Sequence, residues 1–347
     1  MVALLLLLSV QIGPAAAGTP NRQPQLVARG NAVAVAYGAG NTIYFAASTD
    51  GGASFGPPVL VSSQGELALG MHRGPRVAYT RQGIVISAVV GEQGKGKDGD
   101  VMAWRSQDGG KSWSAPVRVN DVPGSAREGL HAMAFGGRDT LFAAWLDLRE
   151  KGTQIYGSVS RDGGATWSEN RLVYRSPSGT VCQCCHPSVA VDGSGVVVVM
   201  FRNALEGSRD MYLARSANGG KTFASAEKVG RGTWKLDACP MDGGGVTVDE
   251  KGRVATIWRR EGTVFATRGD GPEESLGQGR NPTTVATKDG VYSAWTEGTS
   301  VRVKTRGAAP PETVDEEGAF PALAVVRDGS AVVAWESKGA IVIRKIR

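Results

Sequence analysis

The chain has 347 residues, of which 41% are hydrophobic and 21% are charged, a balance that excludes collagen-like and disordered proteins and allows a large core. It contains 49 Gly and 16 Pro residues, which favours many tight turns over long helices. The formal charge of +6 arises from scattered Lys and Arg residues, so we expect no nucleic-acid partner.

The first 17 residues, MVALLLLLSVQIGPAAA, have the pattern of a signal peptide. An apolar run from Val2 to Ile12 is followed by a Gly-Pro break and by small residues suited to cleavage near Ala17. The run is too short to cross a bilayer, so we expect no membrane span. These features predict a leader over residues 1–17, a single domain over residues 18–347, and a periplasmic or secreted protein.

Four segments share a Ser-x-Asp-x-Gly-x-x-aromatic pattern at near-constant intervals, with Asn in place of Asp in the last. They are Ser48–Phe55, Ser106–Trp113, Ser160–Trp167 and Ser216–Phe223. Each suits a tight turn between strands, because the Asp or Asn caps backbone N–H groups, the glycines adopt positive φ and the aromatic ring packs beneath. A pattern that returns at a fixed period indicates a repeat architecture.

Around these turns the chain repeats a set of short strands in which apolar and small or polar residues alternate. Three further copies follow without the turn motif, which makes seven repeat units, and no stretch has helical periodicity. An all-β propeller of four-stranded antiparallel blades is the architecture that such repeats favour. The last unit has sequence for only three strands, so a strand from the N-terminus is needed to complete it.

The turn motifs resemble the Asp-boxes, or BNR repeats, of the sialidase superfamily. This resemblance spans nearly the whole chain after the leader and implies a propeller, with a six-bladed sialidase-type ring as the alternative to seven blades. It does not by itself imply sialidase activity, because one fold serves many functions.

Sialidases hold a substrate carboxylate with three arginines and use a Tyr nucleophile assisted by a Glu. Arg22, in the motif NRQP, resembles the first arginine and Arg202 the second, so both are candidates for catalysis or ligand binding. The nucleophile motif of the final blade appears here with Phe320, which has no hydroxyl, and His186 stands where the Glu is expected. We therefore do not expect a retaining sialidase mechanism.

The innermost strand of each propeller blade lines the central channel, so the residue that starts it faces the funnel mouth. In six of the seven repeats that residue precedes a proline, which fixes an extended start. The predicted ring consists of Gln23, Gly74, His131, His186, Cys239, Asn281 and Phe320. Two of the chain's three histidines lie on this ring, and the third, His72, is close by in sequence.

All four cysteines lie beside the ring, in the segments TVCQCCHP and DACPMDG. Thiolate, imidazole and thioether groups favour copper or zinc over magnesium or calcium, and the methionines favour copper. The predicted metal ligands are His72, His131, Cys182, Cys184, Cys185, His186, Cys239 and Met241. A cross-blade disulfide between Cys239 and one of the CQCC cysteines is the alternative, and it is compatible with a site that uses the two remaining thiols.

A second set of residues suits an anionic ligand such as an acidic sugar. It comprises Arg22, Arg73, Arg202, Arg259, Asn281 and Phe320. The leading hypothesis is an exported monomer whose funnel binds a soft metal or a small anionic ligand without sialidase-type hydrolysis, together with a metal-delivery partner if the ligand is a metal. The alternatives are an exo-glycosidase acting on acidic sugars, and a non-catalytic platform that binds a glycan or a protein.

Overall fold

The structure is a computed structural model that describes residues 9–14, 18–137, 139–307 and 309–346. Of the predicted leader, only residues 9–14 lie within the described part of the chain. The described residues form strands and turns and contain no helix. The prediction of an all-β protein is therefore confirmed.

The strands form seven antiparallel blades around a central axis, which confirms the seven repeat units and excludes the six-bladed alternative. Strand β1, Val10–Ile12, belongs to the last blade. Blade one is β2 (Asn21–Arg29), β3 (Ala32–Ala39), β4 (Thr42–Ser48) and β5 (Val59–Ser62). Blade two is β6 (Glu66–Leu67), β7 (Arg76–Tyr79), β8 (Ile84–Gly91), β9 (Asp100–Ser106) and β10 (Val117–Arg118). Blade three is β11 (His131–Phe135), β12 (Leu141–Asp147), β13 (Gln154–Ser160) and β14 (Arg171–Tyr174).

The remaining four blades follow the same order from the inside of the ring outward. Blade four is β15 (Ser188–Val191), β16 (Val197–Arg202), β17 (Met211–Ser216) and β18 (Glu227–Lys228). Blade five is β19 (Gly245–Val248), β20 (Val254–Arg260), β21 (Thr263–Arg268) and β22 (Glu274–Gln278). Blade six is β23 (Arg280–Thr287), β24 (Gly290–Glu297), β25 (Ser300–Lys304) and β26 (Glu312–Asp315). Blade seven is β27 (Ala319–Val325), β28 (Ala331–Ser337), β29 (Ala340–Ile346) and β1.

The N-terminal strand closes the ring. β1 pairs antiparallel with β29, so Val10 lies opposite Ile343. The side-chain amide of Asn21 donates to the carbonyl oxygens of Ile12 at 3.2 Å and Gly13 at 2.8 Å. The last blade is thus completed from the N-terminus, as the repeat count predicts, by a strand that lies inside the predicted leader.

The core lies between successive blades, where the flat faces of the sheets pack together. The second glycine of each Asp-box turn packs against a side chain of the neighbouring blade. Gly110, with φ of 93°, is the tightest, since a Cβ there would lie 2.1 Å from Cε1 of Phe45. Because the innermost strands begin at the funnel mouth and antiparallel strands alternate in direction, the boxes, which follow the third strands, lie on the opposite face. The motif therefore stabilises the ring rather than lining the funnel.

Candidate functional site

Backbone geometry at the starts of three innermost strands turns their side chains toward the channel. Gln23, Asn281 and Phe320 have φ of 55°, 55° and 52°, and each is followed by proline. The strand register breaks at all three places. Such bulges re-aim a side chain at the end of a strand. Together with His72 and His186, these residues line a cavity of about 160 Å³ at the channel mouth.

A strained turn places His72 over this mouth. Residues 70–73, between β6 and β7, form a tight turn in which Gly70 and Arg73 exchange backbone hydrogen bonds of 3.1 Å. The two central residues, Met71 and His72, have φ of 52° and 67°. Two successive positive φ values are typical of type I′ turns, which favour Gly and Asn over larger residues. The protein therefore accepts an unfavourable backbone conformation at His72, as is common at functional sites.

The His72 ring contacts three other blades. It stacks on His186 with ring centroids 4.1 Å apart, and it lies edge-on to Phe320 at 5.2 Å. Its Nε2 lies 3.0 Å from Oδ1 of Asn281, to which it donates. Since His186, Asn281 and Phe320 belong to blades four, six and seven, the imidazole of His72 covers the axis of the ring.

Both histidines at the mouth are uncharged. Burial lowers the pKa of His72, which the charge of Asp242 partly opposes, and burial lowers the pKa of His186 well below its ordinary value. The backbone N–H of Gly243 donates to Nδ1 of His186 at 3.3 Å, and Nε2 donates to the carbonyl oxygen of Gly244 at 3.1 Å. Because both ring nitrogens of His186 are engaged, this side chain cannot ligate a metal without losing a hydrogen bond.

His131 lies elsewhere. It starts β11 but is fully buried, with Nε2 3.0 Å from the hydroxyl of Ser87 and Nδ1 without a hydrogen-bond partner. Its carbonyl oxygen accepts from the guanidinium of Arg76. The structure therefore brings His72, rather than His131, against His186. The sequence spacing put His72 only near the edge of the ring, and the turn geometry that centres it is not visible in the sequence.

The cysteines form a cluster between blades four and five. Cys184 and Cys239 are joined by a disulfide with a Cα–Cα distance of 6.2 Å, which confirms the predicted cross-blade link. Cys182 and Cys185 are free and buried. Their Sγ atoms are 3.4 Å apart, and the Sγ of Cys184 lies 3.7 Å from Cys182 and 3.8 Å from Cys185. Within the described ranges, these three cysteines form the one group of potential metal ligands within 4.8 Å of one another.

The two free thiols differ in acidity. The pKa of Cys182 is lowered to about 7, chiefly by its hydrogen bond with the Cys185 thiol and also by the positive charge of Arg202. Burial raises the pKa of Cys185 well above its ordinary value. Arg202 itself is 1% exposed, and its guanidinium donates to the carbonyl oxygens of Asp242, Arg209 and Arg259. It therefore links blades and supplies positive charge next to the sulfurs.

The other predicted ligand-binding arginines do not converge on the cavity. Nε of Arg22 lies 3.4 Å from a carboxylate oxygen of Glu336, and Nε of Arg73 donates to the carbonyl of Glu128 at 2.6 Å. The guanidinium of Arg259 lies over the ring of Trp234. Asn281 and Phe320 do meet at the mouth, on His72. Met241, predicted as a metal ligand, has φ of 55° in the segment between Cys239 and β19.

Sequence reasoning missed two buried carboxylates near the mouth. Asp242 is 1% exposed and accepts from the backbone N–H of Asn281 at 2.8 Å. Glu336 accepts from the backbone N–H of Gln23 at 2.7 Å, and burial raises its pKa. Asp242 follows Met241 directly in the segment DACPMDG, so its place beside a ring position was the available signal.

A family model described as "BNR repeat-like domain" matches residues 42–330. The chain belongs to this family. No curated protein sequence matches this BNR protein. No helix in the described part of the chain is long and apolar enough to cross a membrane.

Solved structures share the BNR propeller fold at low sequence identity. A Penicillium chrysogenum α-L-arabinanase complexed with arabinobiose matches with a TM-score of 0.60 at 14% identity, covering 97% of each chain. A Hadza microbial sialidase matches with a TM-score of 0.55 at 14% identity, covering 94% of this chain and 66% of the sialidase. A catalytically inactive virginiamycin B lyase from Staphylococcus aureus matches with a TM-score of 0.58 at 11% identity, covering 98% of this chain and 99% of the lyase. At these identities the likeness establishes the fold alone.

Proposed function

We propose that this protein binds a soft metal ion, copper(I) before zinc, through the thiolates of Cys182, Cys184, Cys185 and Cys239, and that it does so without hydrolysing a glycoside. The observation that carries the proposal is the spacing of the sulfurs, 3.4, 3.7 and 3.8 Å among the first three. Sulfurs that surround one zinc ion at about 2.3 Å lie about 3.8 Å from one another in a tetrahedron. The three cysteines thus need little movement to share a metal.

Metal binding belongs to the reduced protein. Cys184 and Cys239 are joined in the structure, so two electrons from a dithiol reductant must first convert that disulfide into two thiols. Cys239 is then a fourth sulfur ligand on the neighbouring blade. A site with three or four thiolates and no free imidazole is soft, which favours copper(I) and zinc over harder cations. Met241, two residues from Cys239, adds a thioether to the same segment and favours copper.

The funnel supports the non-hydrolytic part of the proposal. Phe320 occupies the position of the sialidase nucleophile and packs against His72. Arg202 is consumed by backbone carbonyls, and Arg22 pairs with Glu336. No cluster of arginines around a shared carboxylate position is therefore formed by these candidates. A disulfide is typical of proteins outside the cytosol, which supports export to the periplasm or beyond.

The test is a metal titration of the reduced, metal-free protein without oxygen. We expect one equivalent of copper(I), with ultraviolet absorption from thiolate-to-copper charge transfer, and binding that is lost in the variants Cys182→Ser and Cys185→Ser. Met71→Leu is the matched control, because it removes an exposed thioether near the mouth but outside the sulfur cluster. Reduced wild-type protein that binds neither copper nor zinc stoichiometrically would overturn the proposal.

A second candidate function is an exo-acting glycosidase for acidic sugars. The cavity of about 160 Å³ at the channel mouth favours it, together with a fold shared with an arabinanase and a sialidase. Turnover of a fluorogenic acidic glycoside that is abolished by Asn281→Ala would support this candidate. Inertness toward such substrates, combined with stoichiometric copper binding, would leave the metal site as the function.

A further inference from the structure

The four sulfurs form a path from the surface to the core. Cys239 is exposed and Cys184 is half-buried, whereas Cys182 and Cys185 are 4% and 1% exposed. The outer pair is oxidised and the inner pair is reduced. Oxidised and reduced sulfurs therefore lie side by side in one protein, with the disulfide on the solvent side.

The inner thiols lie at contact distance from the disulfide. The Sγ of Cys182 is 3.7 Å from the Sγ of Cys184, and that of Cys185 is 3.8 Å away. Thiol–disulfide exchange proceeds by attack of a thiolate on one sulfur of a disulfide, with the other sulfur as the leaving group. Cys239 is a suitable leaving group, because its exposed position lets water solvate the thiolate that departs.

A second exchange is available to the same sulfurs. Cys182 and Cys185 are separated by two residues, the spacing of the Cys-x-x-Cys dithiols of disulfide oxidoreductases, and their Sγ atoms are 3.4 Å apart. Once Cys182 is joined to Cys184, Cys185 is within contact distance of the Cys182 sulfur. Attack there would release Cys184.

We propose that the four cysteines form an internal disulfide relay. In the first step the Cys182 thiolate forms a bond to the Cys184 sulfur, the Cys184–Cys239 bond breaks, and Cys239 leaves as a thiolate. In the second step the Cys185 thiolate bonds to the Cys182 sulfur and Cys184 leaves. The proton of each attacking thiol ends on a departing thiolate. One disulfide is broken for each one formed, so no oxidant or reductant is consumed.

The relay changes the architecture as well as the chemistry. Before it, the disulfide connects the segments that precede the innermost strands of blades four and five. After it, the disulfide lies within residues 182–185, the clamp between blades is open, and an accessible dithiol of Cys184 and Cys239 faces solvent. This dithiol can exchange with a disulfide of a partner protein or small molecule. The relay operates in the metal-free protein and does not rest on metal binding.

The relay can be trapped by alkylation of the native protein. Protein with two free thiols per chain is incubated with iodoacetamide and EDTA without denaturant, and then digested with trypsin and mapped by mass spectrometry without reduction. In the wild type we expect alkylated Cys239 in the peptide 236–251, and a peptide 176–202 that carries an internal Cys182–Cys185 disulfide with Cys184 alkylated. Because alkylation removes each released thiol, the product accumulates even if the starting isomer is the more stable.

Two variants separate the steps. Cys185→Ser stops the relay after the first exchange, so Cys239 is alkylated and Cys182 is joined to Cys184. The double variant C182S/C185S has no attacking thiol, and alkylation of Cys239 falls to background although the clamp and the fold, monitored by circular dichroism, are kept. A wild-type map in which Cys184–Cys239 is the only disulfide, whether the inner thiols are alkylated or untouched, overturns the proposal. The metal titration uses reduced protein, so failure of either proposal leaves the other standing.

Discussion

His72 and His186 stack face to face at the channel mouth, with ring centroids 4.1 Å apart and planes inclined by 23°. They come from blades two and four, with the whole of blade three between them in sequence. Two imidazolium ions would repel each other at this distance, whereas two neutral rings pack well. Burial, which lowers the pKa of both histidines, is therefore what allows the contact.

The first prediction concerns the turn that carries His72. His72→Ala removes a hydrogen bond to Asn281 and ring contacts with His186 and Phe320, so we expect it to lower the free energy of unfolding by about 1–3 kcal/mol. Met71→Ala is the control, because it changes an exposed side chain in the same turn. Equal losses for the two variants in urea denaturation would contradict a role for His72 in joining the blades.

A second prediction follows from the burial of His131. Its pKa lies well below 6.5 in the folded protein, mainly because of burial and also because of Arg76. The unfolded chain therefore binds a proton as the pH falls below about 6.5, whereas the folded protein does not. The stability contributed by neutral His131 is complete above that pH and declines below it.

Denaturation at several pH values tests this prediction. We expect the free energy of unfolding of the wild type to fall between pH 7 and pH 5, and His131→Asn to have a shallower dependence although it is less stable at pH 7. Parallel curves for the two proteins would show that His131 titrates alike in both states.

A third prediction uses the natural difference between two Asp-boxes. Asp50 accepts from the hydroxyl and backbone N–H of Ser54 and from Ser48, which lowers its pKa to about 2. This carboxylate stabilises the fold above about pH 4, and its contribution disappears as the pH falls toward 2. Asn218 in the fourth box makes similar contacts through an amide that does not titrate. Asp50→Asn should cost stability at pH 7 but not near pH 2, whereas Asn218→Asp should gain stability at neutral pH alone.

A fourth prediction tests the packing of the boxes between blades. Gly110 and Gly109 have φ of 93° and 77°, so alanine is strained at both. A Cβ at Gly110 would meet Phe45 at 2.1 Å, whereas Gly109 has nothing within 4 Å. We expect Gly110→Ala to be more destabilising than Gly109→Ala by about 1–3 kcal/mol in thermal or chemical denaturation. The difference measures the clash, since the backbone strain is common to both.

A fifth prediction concerns the strand that lies in the predicted leader. A chain that begins at Gly18 lacks β1 and leaves β29 as the outer edge of blade seven. Its ring stays closed through β27–β29 and through the backbone hydrogen bond of 2.9 Å from Asn21 to Gly339. We expect a folded protein with a melting temperature a few degrees lower. Intact mass of the exported protein shows whether cleavage occurs near Ala17, and collapse of the shortened chain would contradict the minor role assigned to β1.

Much of the fold follows from local patterns. The repeated box, the alternation within short strands and the missing outer strand of the last unit predict seven blades closed by an N-terminal strand, and all of this is observed. The prediction that Cys239 bonds to one of the CQCC cysteines is also confirmed. These inferences succeed because turn chemistry and strand periodicity act over a few residues and are repeated many times.

The sequence by itself determined the propeller, the four boxes and the neighbourhood of the cysteines. Only the tertiary structure decided that His72 and not His131 meets His186, that Cys184 is the partner of Cys239, and that Arg202 is bound by carbonyl oxygens. Such choices depend on the direction of a side chain across a gap between blades. That direction is set by a single turn with positive φ or by packing between residues far apart in the chain, and neither leaves a repeated pattern in the sequence.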